Sequence, residues 1–271
     1  MGHLSISKAW DESKAITEKD GRLIGAVALA LVGFPALIGG LVAPKGLFDP
    51  AVPGWALGVG LIASIIGVAG QLAIVRLAIG PSTTVGDAIT HGLKRMPIYV
   101  VAAFILFCGL ILLAIPLALA VVALGLPMDE AALKASPAFG LLALVYFAVA
   151  IFFGVRMLMM SPAASAEPIG PVKIIGRSWH LTGGHWWRLF GFLATFMVGA
   201  VVAMIVVGTA MGILVDMALG PVDPLSASAA VMGLAQGIVN AAVTALLAVM
   251  LARIYVQLVG PETASVPSTG V

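Results

Sequence analysis

Six apolar runs, each long enough to cross a bilayer, divide this chain into pairs. Each pair ends in a single arginine followed within a few residues by a proline: Arg76 and Pro81, Arg156 and Pro162, Arg253 and Pro261. About 20 apolar residues cover a hydrocarbon core of roughly 30 Å, and the runs occupy about 23–43, 55–79, 97–125, 138–160, 188–219 and 227–259. With 61% hydrophobic and 10% charged residues, against about 45–50% and 25% in soluble domains, the chain has hydrocarbon as its main solvent. Every backbone polar group must then pair internally, which favours helices. Barrel strands would alternate over about ten residues, whereas these runs are continuous. The sequence therefore predicts an all-α polytopic membrane protein, one integral membrane domain over 1–271. It has six spans in three hairpin repeats of about 1–81, 82–162 and 163–261, then a flexible tail over 262–271. Pro35 and Pro116 predict kinks in the first and third spans.

Orientation follows from the basic residues. Of the 14 Lys and Arg, only Lys45 and Lys134 fall in the loops opposite the termini. Those loops carry Asp49, Asp129, Glu130, Asp216 and Asp223 instead. The expectation is a multi-pass protein with both termini cytoplasmic. Residues 1–20 are polar and mixed in charge, and the first apolar run is long enough to span, so it reads as a transmembrane helix that is not cleaved.

The repeat extends into the polar pieces. Ser13 to Thr17 precedes Arg22, Ala88-Ile89-Thr90 precedes Arg95, and Ser178 to Thr182 precedes Arg188. Each unit predicts a cytoplasmic amphipathic helix at the interface, a turn, a basic anchor and a hairpin. Duplication of one module would allow a threefold arrangement. Residues 7–19 place Trp10 with Ile6 and Ile16 amid Lys8, Asp11, Glu12, Lys14 and Glu18, as an interfacial helix requires. The third copy gathers Lys173, Arg177, Trp179, His180, His185, Trp186, Trp187 and Arg188 around a Gly183-Gly184 turn.

Glu167, Gly170, Arg177-Ser178-Trp179, Leu181-Thr182, Gly184 and Trp187-Arg188, ahead of an apolar run, resemble the glycerophosphodiester phosphodiesterase membrane-domain-like family of bacterial six-helix proteins. The likeness is sharp over about 25 residues around that stretch and loose over the hairpin organisation. It implies a bacterial inner membrane. In the family's enzyme members this module precedes a soluble catalytic barrel, whose carboxylates and histidines have no counterpart after the sixth span here, so the phosphodiesterase activity does not carry over.

Arg76, Arg156 and Arg253 each close a span. Snorkelling toward headgroups with a favourable helix C-terminus explains them. A second reading has them bind anionic lipid headgroups or phosphate together with Arg177, Arg188 and Trp179. A third pairs them with Asp87, Glu167 and Glu262. Gln236, Asn240 and Thr244 form a polar stripe at i, i+4 spacing. Together with Gln71, they read either as interhelical hydrogen bonds or as the lining of a substrate path. Gly54 with Gly58, Gly208 with Gly212, and Gly233 with Gly237 mark candidate close-packing sites.

His180 and His185 are five apart without Cys ligands, and no metal site or cofactor is expected. The lone Cys108 excludes an intramolecular disulfide. No P-loop, Gly-x-Ser-x-Gly or His-Glu-x-x-His motif occurs, and a net charge of +2 gives no footprint for nucleic acid. The sequence favours a non-enzymatic scaffold or lipid-interacting accessory, whose partners are membrane lipids, a second copy or other membrane proteins. The alternatives are a small-molecule or lipid transporter with a cavity between hairpins, and a lipid enzyme using Glu167 with His180 or His185.

Overall fold

The computed structural model describes residues 4–44, 46, 52–80, 84–127, 129, 132 and 135–260. Lys45, Asp49, Pro81, Glu130, Lys134, Pro261, Glu262 and the rest of the 262–271 tail lie outside the described residues. Among the described residues there are helices and no strands. They are α1 (Ile6–Ala28), a π-helical turn (Leu29–Gly33), α2 (Phe34–Val42), α3 (Gly54–Ile79), α4 (Val85–Ala123), α5 (Pro137–Arg156), α6 (Met160–Ala166), α7 (Pro171–Thr182), α8 (Trp186–Leu219) and α9 (Ala227–Val259). Six stretches are long and apolar enough to cross a membrane: Ile6–Val42, Gly54–Ile79, Val85–Ala123, Pro137–Ala166, Trp186–Leu219 and Ala227–Val259. The chain is an all-α membrane protein.

A separate amphipathic helix with its own turn appears only in the third unit. There α7 ends at Gly183-Gly184, and the His185 amide closes the turn on the Thr182 carbonyl at 3.3 Å. In the first two units the polar piece runs straight into the span, because no Gly-Gly pair breaks it. Ile6–Val42 is one rod of 37 residues and α4 one of 39. At 1.5 Å per residue the first is about 55 Å long, so its polar end extends beyond the hydrocarbon. Pro35 is accommodated by the π turn just before it, where the Phe34 amide reaches back to the Leu29 carbonyl. The wider turn relieves the clash of the proline ring with the preceding turn. Pro97 and Pro116 both lie within uninterrupted α4.

Three spans form the centre and three surround them. In the most apolar stretch of Ile6–Val42, Gly54–Ile79 and Ala227–Val259, 33%, 39% and 39% of residues are buried, against 6% in each of the other three. The first hairpin is therefore central, the second peripheral and the third divided, so the three are packed unequally. Glycines set the central contacts. A Cβ on Gly237 would stand 2.6 Å from the Gly33 oxygen, and one on Gly40 would stand 3.1 Å from the Gly233 Cα. Of the three glycine pairs in the sequence, Gly233 with Gly237 makes close backbone contacts. Gly54, Gly58 and Gly208 have open space where a Cβ would go.

The short α6 was not foreseen as a helix of its own. Met160 to Ser165 are all buried, wedged against α3, α4, α7 and α9.

Candidate functional site: polar anchors and a seam of cavities along α8 and α9

The end of the bundle nearest the termini is tied together by side chains from distant segments. Ser165 Oγ donates to the Leu72 carbonyl at 3.1 Å, and His91 Nε2 lies 2.7 Å from the Ser165 oxygen. Arg95 Nε donates to the Ala164 carbonyl at 2.8 Å, and its Nη2 reaches the carbonyls of Glu167 and Ile169. A cation thus caps the C-terminal end of α6, where the helix dipole is negative. Glu167 Oε1 accepts from Arg177 Nε at 2.7 Å and from the Tyr255 hydroxyl at 2.5 Å. Burial works against the Arg177 charge, but the hydrogen bond and the charge of Glu167 outweigh it and hold the guanidinium above its usual value.

The three span-closing arginines meet three different surroundings. Arg156 lies over the rings of Trp179 and Phe152, 4.8 and 5.4 Å from their centroids, and donates to the Trp179 carbonyl at 3.3 Å. The Arg156 carbonyl in turn accepts from Ser178 and Thr182, at 2.8 and 3.2 Å. Arg253 Nε is 2.8 Å from Glu12 Oε2. The Arg76 side chain has no hydrogen bond or ion pair among the described residues.

The expected partners are corrected accordingly. Asp87 accepts from the Thr84 hydroxyl at 2.6 Å while Thr84 caps α4, so it is committed to a helix start instead of to Arg76. Glu167 folds back over α7 to Arg177, and the aromatic rings occupy the place beside Arg156. The Glu262 alternative lies outside the described residues. Arg188 donates to the Leu4 carbonyl at 3.0 Å, pinning the N-terminal strand of chain to the start of α8.

Two cavities lie along the α8–α9 seam. The larger, about 790 Å³, is a groove with apolar walls: Ile6, Ser7 and Trp10 of α1, Gly191, Thr195, Gly199 and Ala203 of α8, and Ala242, Leu246 and Met250 of α9. The other, about 360 Å³, opens by Pro44 and Gly46 and is walled by Ala36 and Gly40 of α2, Met204 and Gly208 of α8, and Gln236 and Asn240 of α9. The two amides anticipated as a polar stripe are thus brought together, while Gln71 does not line this cavity. Neither the Gln236 nor the Asn240 side chain has a hydrogen-bond partner among the described residues.

The model of the family described as domain of unknown function DUF7847 matches residues 13–258. The chain belongs to that family. No curated protein and no solved structure matches it. The DUF7847 stretch takes in all of the amide cavity and both α8 and α9, whereas Ile6, Ser7 and Trp10, at one end of the groove, precede it.

Sequence reasoning missed Arg95 as a clamp, Tyr255 as the second donor to Glu167, and the groove itself. One signal for the groove was present: Gly191, Thr195, Gly199 and Ala203 are small residues at four-residue spacing, one stripe along α8.

Proposed function

We propose that this DUF7847 protein is a non-enzymatic, lipid-binding membrane accessory that takes an acyl chain into the groove between α1, α8 and α9. The groove itself carries the reading. A small-residue stripe normally lets helices close on each other, yet here the stripe on α8 faces an open apolar groove between α1, α8 and α9. Such a space offers few partners for water, chiefly the hydroxyls of Ser7 and Thr195, and matches hydrocarbon. Trp10 at one end is the residue type that favours the membrane interface.

The polar end supports anchoring more than anion capture. Arg156, Arg177 and Arg253 are already engaged by rings, carbonyls or carboxylates, which leaves Arg76 as the residue to hold an anionic headgroup. The bias of Lys and Arg toward the side of the termini supports cytoplasmic termini, and the bacterial inner membrane is what the family resemblance implies. The resemblance to glycerophosphodiester phosphodiesterase membrane modules fits a membrane part that acts beside enzymes without being one.

Native mass spectrometry of the detergent-purified chain tests this. A Cβ on Gly199 meets nothing within 4 Å, so the side chain of Gly199→Phe enters the groove without displacing backbone. Wild type is expected to retain lipid and the variant to lose it at unchanged melting temperature. Equal retention by both counts against the groove. The second reading, a transporter, draws on the amide cavity, and lack of flux in proteoliposomes across a broad substrate panel removes it.

A further inference from the structure

We infer that Gln236 and Asn240 form the headgroup site for an uncharged, hydroxyl- or amide-bearing amphiphile whose chain lies in the groove, an assignment that rests on the acyl-chain reading above. The two cavities share their walls. Each is bounded by α9, by α8 and by the rod Ile6–Val42, and their linings follow one another along the helices, at Ala203 and Met204 on α8 and at Asn240 and Ala242 on α9. From Gly191 to Gly208 along α8, the combined length is about 26 Å at 1.5 Å per residue. That is the reach of an extended chain with its head, set against a hydrocarbon core of roughly 30 Å.

The chemistry of the lining selects the head. Gln236 and Asn240 sit one helical turn apart, and each carboxamide offers both a donor and an acceptor. Among the described residues no charged side chain lines this cavity. From those residues a phosphate would find amide donors but no cation, and an ammonium would find carbonyls but no anion. Burying either charge unpaired is costly. A hydroxyl or an amide both donates and accepts, so it can pair with the N–H and the carbonyl of these side chains without a counter-charge. The space of about 360 Å³ corresponds to roughly a dozen waters at about 30 Å³ each, enough for a glycerol- or sugar-sized head. The close approach of Gly40 to Gly233, both on its wall, closes the cavity between α2 and α9, and a chain runs along the α8–α9 seam toward the groove.

The test uses the full chain in detergent with two probes that differ only at the head, monoolein and oleate, titrated with native mass spectrometry as readout. Wild type is expected to bind monoolein about tenfold more tightly than oleate. Gln236→Leu combined with Asn240→Leu is expected to reduce that preference to within about twofold while both chains still bind. Gly208→Leu provides an independent check, because a side chain there enters the amide cavity with nothing within 4 Å of its Cβ; it too should abolish the preference. A wild type without preference, or a double variant and a Gly208→Leu protein that both keep it, overturns the headgroup assignment and leaves the groove standing. If neither probe binds wild type and Gly199→Phe retains the same lipid as wild type, the groove reading falls with it.

Discussion

The central spans and the surrounding spans solve the same solvent problem in opposite ways. The most apolar stretches of the peripheral three have mean hydropathies of 3.0, 2.5 and 2.5, and those of the central three 2.2, 2.1 and 2.0. In water the buried helix would be the more apolar. Here the outer helices face oil with side chains such as Phe104, Leu112, Leu144 and Phe147, all exposed. The inner helices meet backbone against backbone through Gly33, Gly40, Gly233 and Gly237. Lipid tails are as apolar as leucine, so packing and polar contacts, and not extra hydrophobicity, distinguish the centre.

The largest test of that contrast is Gly237→Leu. Its Cβ alone would collide with the Gly33 carbonyl, and the expected cost is about 3 kcal/mol, read as a fall in melting temperature or as loss of monodisperse protein. A tolerated leucine would mean that the central helices are not in glycine contact. Next comes Arg95→Met, which strips the donor from three carbonyls at the end of α6. A loss of roughly 2 kcal/mol is expected, together with faster proteolysis around 157–170; unchanged cleavage would show that α6 needs no clamp. Glu12→Gln leaves Arg253 without its counterion in a half-buried setting and should cost about 1 kcal/mol. Raising salt should narrow the gap to wild type, and a salt-independent deficit would point to packing instead of charge. The smallest effect belongs to the periphery: Phe107→Ala, on exposed α4 surface, should lie within about 0.5 kcal/mol of wild type. A larger drop, or a change in oligomer size, would mean that protein and not lipid covers that face.

Much of the architecture was legible because oil imposes a length. The fifth and sixth runs, at about 188–219 and 227–259, match α8 and α9 to within two residues, since composition changes sharply at their ends. The polar extensions of α1 and α4 were harder to place. An amphipathic helix reads the same whether it turns at the surface or continues into the span, and only a Gly-Gly pair settles the matter, as it does after α7. The buried α6 carries small and polar residues, Ser161, Ala163, Ala164 and Ser165, which suit a loop as well as a wedge. Glu12 and Arg253 are 241 positions apart, and nothing local announces such a pair. The amides at 236 and 240 were visible because i, i+4 spacing makes a stripe. The groove was not, because small residues look alike whether a neighbour fills the notch or leaves it open.

The rod from Ile6 to Val42, continuous through its π turn, has a mechanical consequence. Trp10 sits at one end of it, beside the acyl groove, and Gly40 at the other, beside the amides, with the Gly33 contact to α9 between them. A beam held at an intermediate fulcrum cannot tilt at one tip without swinging the other. The walls beside Trp10 and beside Gly40 thus belong to one helix, and the two spaces are connected through it without a relay of side chains.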